Sequence, residues 1–413
     1  MPRESDFSPA QSPSLEAPTG PATWRADTLL VRGGLARTGL NETSEALFLN
    51  SGYVYPNAEE AEAAFDGTLE RYVYSRFRNP TISVFEERLA ALEGAPVCKA
   101  TASGMAAVTS ALLCQVRAGD RVVAARDLFG SCSWVIGDLL AQYGVSAEFV
   151  DTENLDAWAQ ALAKPTRAVF LETPSNPTLR IVDLKGVCDL AHAAGATVVV
   201  DNAFATPLLQ RPRDFGADVV VHSATKWIDG QGRCLGGAVL CDEAFNETYL
   251  GPFLRHTGPC LAPFNAWVML KGLETLSLRI NRHSATALTL AGLIEGHPAV
   301  ARALYPGLAS HPRHALAQSQ MKAGGGVIAL SLKGGRASAY RFLNALSIVD
   351  ISNNLGDAKS LACHPWTTTH QRLSPEEKLI QGIDEGLIRF SVGLEDPEDL
   401  AADIGAALDA AGG

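Results

Sequence analysis

No two cysteines stand in C-x-x-C spacing; the eight lie singly at Cys98, Cys114, Cys132, Cys188, Cys234, Cys241, Cys260 and Cys363. That spacing gives no disulfide framework and no zinc ribbon, and fits small buried residues or free thiols of a reducing compartment. Basic charge is also in deficit. With 34 Lys and Arg against 45 Asp and Glu the net charge is −11, which argues against a nucleic-acid surface. No apolar run is long enough to span a bilayer, so no membrane partner is expected. The nine histidines show no metal-ligand spacing, His311 and His314 in H-P-R-H read as a solvated loop, and no metal is expected. G-x-S-x-G, H-E-x-x-H and G-x-x-x-x-G-K-[ST] are absent. Around residues 230–236 the glycines miss the dinucleotide spacing by one and follow a lysine-containing turn, which disfavours a nicotinamide site.

What is present fits a large soluble core: 413 residues, 47% hydrophobic, enough for two or three packed units. Residues 1–23, rich in Pro, Ser and Ala, are expected to be a disordered tail. They lack the apolar centre of a secretory signal, which makes the cytoplasm the expected location. Residues 24–77 carry Tyr53, Tyr55, Tyr72 and Tyr74 with Arg71, Arg76 and Arg78. Composition alone fits an N-terminal arm over another surface and an irregular surface segment equally. From about Val97, short β-branched runs alternate with amphipathic stretches, the signature of parallel strands joined by crossover helices. Strands are expected at 121–124, 147–150, 168–172, 197–201, 219–223 and 237–241, with helices at 104–116, 133–143, 155–163 and 184–194. A long apolar-periodic run follows over 263–294, then a strand at 327–332 and a helical tail from 399. This predicts an α/β fold: a sheet domain over 78–270, covered on both faces, and a smaller α+β domain over 271–413. Ligands of such sheets sit at the carboxyl ends of the strands.

Three features fall there. V-V-V-H-S-A-T-K at 219–226 ends a buried strand in Ser223, Thr225 and Lys226. A partly desolvated lysine favours its neutral amine and can attack a carbonyl, and the hydroxyls suit phosphate oxygens. Taken alone, the same pattern is equally a polar strand cap. V-V-V-D-N places Asp201 at the end of the preceding strand. Alone it is a turn former; beside a carbonyl-bearing lysine it fits the group that keeps a pyridine nitrogen protonated. A-S-G-M at 102–105 leads a small-residue turn into a helix, where free N–H groups bind phosphate. Together these are the three handles of pyridoxal 5′-phosphate.

The order A-S-G-M, E-T-P-S-N-P, V-V-D-N, H-S-A-T-K and R-F-S-V-G-L-E-D resembles the cystathionine synthase and lyase family of pyridoxal-phosphate enzymes, over about residues 38–406. The resemblance implies the fold-type I transferase architecture, a mainly parallel seven-stranded sheet domain with a smaller C-terminal α+β domain. It implies pyridoxal 5′-phosphate as cofactor, with Lys226 as its carrier and proton shuttle and Asp201 on the pyridine nitrogen. Ser103, Gly104, Met105, Ser223 and Thr225 would hold the phosphate, and Asn176 the ring hydroxyl. Tyr74 and Arg76 would reach the phosphate of a neighbouring subunit, in a homotetramer built as a dimer of dimers. Arg389 would grip the substrate α-carboxylate, its alternative being a structural ion pair, and Ser360 would orient the lysine or that carboxylate.

Two departures stand out. Phe129 occupies a position where many family members carry a tyrosine stacked on the cofactor; it can stack but cannot donate a proton. Ala203 stands where a threonine is common. S-A-T-K-W-I-D-G-Q-G-R-C-L-G-G and I-S-N-N-L-G-D-A-K-S-L look most like the O-succinylhomoserine sulfhydrylases. The activity so implied is γ-replacement of the succinyl group of O-succinyl-L-homoserine by sulfide, giving homocysteine for methionine biosynthesis. Cystathionine γ-synthase and O-acetylhomoserine sulfhydrylase share every cofactor motif and stay open. A cofactor-less α/β binding protein, motivated by Phe129 and Ala203, stays open as well.

Overall fold

The computed structural model describes residues 24–412; the tail expected over 1–23 lies outside the described residues. Within the segment expected to lack clean elements, two helices form, α1 (Ala26–Arg32) and α2 (Ala58–Asp66). The second has a local cause: Asn57 caps it by accepting the Glu60 N–H, and Gly67 ends it at φ 85°. The next helix, α3 (Pro80–Glu93), follows the same logic, with Asn79 as cap, Pro80 in its first turn and Gly94 closing it at φ 72°.

Seven strands then build one sheet: β1 (Val97–Thr101), β2 (Arg121–Ala125), β3 (Ser146–Val150), β4 (Ala168–Glu172), β5 (Thr197–Asp201), β6 (Val219–His222) and β7 (Gly237–Cys241), in the order β1-β7-β6-β5-β4-β2-β3. Strands β2 to β6 pair in parallel. Strand β7, expected at 237–241 in a mainly parallel sheet, runs antiparallel to β6 and to β1. No crossover helix separates it from β6, so the chain turns straight back. Helix α4 (Gly104–Leu113) leaves β1 at the strand ends where the ligand is expected.

A second sheet, ordered β10-β11-β12-β9-β8, comprises β8 (Val300–Leu304), β9 (Val327–Leu332), β10 (Asp350–Ile351), β11 (Leu361–Cys363) and β12 (Leu387–Ser391). Two apolar clusters result, one around the first sheet that reaches onto the second through Val327, Ala329 and Leu387, and one within the smaller unit. The run expected as one helix is two, Pro263–Glu274 and Leu276–Glu295, because Thr275 leaves the helical region at φ −111°. The second of these serves both cores, through Leu276 and Ile280 on one side and Ala287, Leu290 and Ile294 on the other. From it the buried Arg279 donates to the carbonyls of Trp227 and Ile228 at 2.7 and 3.3 Å, bracing the turn that carries Lys226. No helix among the described residues is long and apolar enough to cross a membrane.

Candidate active site

The carboxyl ends of β4, β5 and β6 open into a cavity of about 390 Å³ between the two sheets. Ser103, Gly104, Met105, Phe129, Asn176, Asp201, Ser223, Thr225, Lys226 and Arg389 all line it, drawn from segments up to 286 residues apart (389 − 103).

At one end, Ser103 caps α4 by accepting the Ala106 N–H at 3.1 Å, which leaves the N–H groups of Gly104 and Met105 without an intrahelical acceptor. A Cβ on Gly104 would stand 2.7 Å from the Ser223 Cβ, so only glycine lets the two segments close into one cup. Thr225 is fixed beside them, its hydroxyl donating to Gly236 O at 3.2 Å and receiving the Gly236 N–H at 3.1 Å. Helix N–H groups and hydroxyls converging in this way suit a phosphate.

In the middle, Lys226 lies on the turn after β6, its Nζ donating to Asn354 Oδ1 at 2.5 Å. Burial, and after it the charge of Arg389, pulls its ammonium down to about 8. On the order of a tenth of the amine is therefore neutral at pH 7, far more than for an ordinary lysine. Asp201 ends β5 and accepts the Ala203 N–H at 3.0 Å; burial pushes its carboxyl up to about 6. Such an acid, kept from water and without a permanent cation partner, is well matched to a ring nitrogen that brings its own proton. The cavity's size, the phosphate cup, the free amine and this carboxyl together fit pyridoxal 5′-phosphate.

At the other end Arg389, on β12, is buried and donates through Nη1 to Asn176 Oδ1 at 3.1 Å and through Nη2 to the carbonyls of Asn353 and Asn354 at 2.8 and 3.0 Å. Among the described residues no carboxylate pairs with it, and its Nε has no acceptor. A buried guanidinium with an unpartnered donor is suited to a carboxylate.

Three expected residues lie elsewhere. Ser360 is fully buried outside the cavity: its hydroxyl donates to Glu395 at 2.9 Å and receives the Gly393 N–H at 2.8 Å. Glu395 also takes the Ser360 N–H, and so draws the residue away from the lysine. Tyr74 and Arg76 line no part of the cavity within their own chain. Arg76 donates to Arg255 O, and its guanidinium lies 4.7 Å over the Phe77 ring.

Several lining residues went unassigned in the sequence, among them Glu172, His222 and Asn354. Glu172, at the end of β4, accepts the N–H groups of Phe129 and Asn176 at 2.8 and 2.9 Å. Its carboxyl is held well above the usual range by burial and then by Asp201. A lone acid closing the apolar run A-V-F-L-E was the available signal. His222 ends β6 and contacts buried Glu93 at 2.9 Å. Asn354 lies within the I-S-N-N-L-G-D-A-K-S-L motif, but its contact with a lysine 128 residues away carried no separate signal.

Comparison with known proteins gives a consistent result. The model of the Cys/Met metabolism PLP-dependent enzymes matches residues 27–409. An O-succinylhomoserine sulfhydrylase of Mycobacterium tuberculosis is 53% identical over 385 residues, spanning 92% of this chain and 95% of that protein. An L-methionine gamma-lyase of Pseudomonas putida is 43% identical over 359 residues, spanning 87% and 90%. The crystal structure of a putative O-acetylhomoserine (thiol)-lyase from Campylobacter jejuni, holding N′-pyridoxyl-lysine-5′-monophosphate, superposes with a TM-score of 0.89 at 33% identity, covering 94% of this chain and all of that one.

Proposed function

Starting from the premise that this chain belongs to the Cys/Met metabolism family of PLP-dependent enzymes, with pyridoxal 5′-phosphate as cofactor, we propose that it replaces the succinyl group of O-succinyl-L-homoserine with sulfide, releasing succinate and L-homocysteine. The observation that carries this reading is Phe129, an aromatic ring without a hydroxyl on the cavity wall. Succinate leaves as a stable anion and needs little acid help, whereas a departing thiolate gains from a proton donor. The 53% identity to a sulfhydrylase supports the same substrate pair.

Bound in the cavity, the cofactor supplies an electron sink for the charge left when a proton leaves substrate carbon. The chain's own groups do the rest. Arg389 receives the α-carboxylate through its open Nε, fixing which Cα bond faces the lysine. Lys226, with its pKa near 8, serves as the base for the Cα proton and returns protons after sulfide adds. Asp201 holds the proton on the ring nitrogen. Phe129, anchored through its N–H to Glu172, keeps water off one side of the site.

This reading extends to the wider organisation. Residues 78–270 form the cofactor domain and 271–413 the smaller domain. Copies assemble as a dimer of dimers in the cytoplasm, with Tyr74 and Arg76 of one reaching the phosphate of its neighbour. Ser360 acts on the lysine only at a distance, through the loop it anchors.

The test supplies O-succinyl- and O-acetyl-homoserine one at a time with sulfide or cysteine and assays homocysteine, cystathionine and methanethiol. Homocysteine from the succinyl ester and sulfide is the expected product. Preferential cystathionine formation, or methanethiol release from methionine at a higher rate, overturns the assignment.

A further inference from the structure

Besides Ser103, Ser223 and Thr225 of the phosphate cup, one further hydroxyl side chain among the described residues lines the cavity, that of Thr369. It stands on the Phe129 wall, where a Cβ on Gly130 would lie 3.4 Å from the Thr369 carbonyl. Local bonds fix this stretch. After the short helical turn Pro365–Thr367, the Thr368 hydroxyl donates to His364 O at 2.8 Å and the His370 N–H closes back onto Pro365 O at 3.0 Å. Thr369 Oγ1 then lies 2.8 Å from Nδ1 of the buried His370.

The imidazole decides which way that hydroxyl points. Burial, and after it the charge of Arg389, pulls the His370 ring down to about 4, so at pH 7 it is neutral and carries a single N–H. The backbone carbonyls of Leu128 and Asn176 favour a proton on the ring. With Nδ1 against Thr369, the nitrogen left for them is Nε2, which has no other partner. The ring proton therefore sits on Nε2, and Nδ1 is a bare acceptor. Thr369 spends its one hydrogen there and turns only lone pairs toward any further partner.

The two reactants meet such a hydroxyl differently. The ester side chain of O-succinyl-L-homoserine has oxygens that accept and, once ionised, no hydrogen to give; hydrogen sulfide and hydrosulfide both carry an S–H. We propose that Thr369 binds the sulfur nucleophile by accepting its S–H hydrogen, and that His370 is the positioning residue that keeps the hydroxyl in this acceptor orientation. The inference rests on sulfide as the second reactant. It also leaves the Phe129 wall without an acid, because the Thr369 hydrogen is committed to the imidazole and is not offered to a departing thiolate.

The test combines steady-state kinetics of the holoenzyme, with sulfide varied at saturating O-succinyl-L-homoserine, and nitrogen NMR of histidine-labelled protein, the His370 signals being assigned by their loss in His370→Asn. Thr369→Val should raise the KM for sulfide about threefold to tenfold, the worth of one hydrogen bond, with a smaller fall in kcat and little movement of the KM for the ester. Thr369→Ser should stay near the parent. The NMR should show His370 protonated on Nε2 at pH 7, with the Nδ1 signal shifting when Thr369→Val removes its donor. A proton found on Nδ1 overturns the acceptor role, as does a sulfide KM unmoved in Thr369→Val or a loss confined to kcat; homocysteine production by the parent then leaves the sulfide reading standing. A parent that makes no homocysteine overturns both.

Discussion

Glu172 and Asp201 stand in register on the neighbouring parallel strands β4 and β5, so two carboxyl groups leave the sheet side by side at one cavity. Glu172 spends both oxygens on backbone donors, the N–H groups of Phe129 and Asn176, and so ties Phe129 to the residue that accepts from Arg389. Glu172→Ala should leave both donors unpartnered and cost roughly 1–3 kcal/mol for each, read from urea unfolding of the cofactor-free chain. Glu172→Gln keeps one acceptor oxygen and should lose about half as much. Stability equal to the parent in Glu172→Ala would mean that Glu172 anchors neither segment.

Acid sensitivity has a named source. His283 and His370 are almost fully buried, and burial pulls both down to about 4 from an ordinary 6.5. The folded state therefore binds fewer protons than the unfolded chain between those values. The stability these residues preserve is complete above about pH 6.5 and is lost as the pH falls toward 4. Each shift is worth on the order of 3 kcal/mol at full expression. Glu172 and Asp201, both raised, act in the opposite sense, so the histidine contribution is isolated by difference. His370→Asn should flatten the loss of urea stability between pH 7 and pH 5. An identical slope in parent and variant would contradict the assignment.

The missing hydroxyl predicts a gain of function. Phe129→Tyr restores a donor at the cavity wall and should raise release of thiols from cystathionine or methionine by about a hundredfold, the lower end of general acid catalysis. Succinyl replacement should change much less. Equal effects on both reactions would mean that Phe129 does not set leaving-group preference.

Much of this site was legible before the fold was known, for a physical reason. Lys226, Asp201 and Ser223 each follow a buried strand, and strand ends converge wherever parallel strands lie side by side, so β-branched runs located them. The A-S-G-M turn was readable because Ser103 caps a helix through local chain geometry. The direction of β7 was not legible, because a buried V-L-C run looks the same whether the connection before it is a crossover or a simple return. The contact of Asn354 with Lys226 was not legible because it depends on how one sheet docks on the other. Ser360 lies outside the cavity for a related cause: its hydroxyl is claimed by Glu395, 35 residues on.

Assembly is tested through Arg76. Within its own chain it lies outside the cavity, against Phe77 and Arg255. Sedimentation should find at least a dimer, and Arg76→Ala should weaken cofactor retention by about tenfold, the scale of a charge-assisted bond to phosphate, without dissociating the assembly. A monomer that holds its cofactor as tightly as the parent would remove the role given to Tyr74 and Arg76.

The most direct measurement is borohydride reduction of the freshly purified yellow protein followed by peptide mass analysis. The pyridoxyl group should be found on the peptide containing Lys226 and on no other lysine, with Lys226→Ala colourless. A reduced chain whose Lys226 peptide keeps its unmodified mass, or a label on a different lysine, would contradict the account at its base.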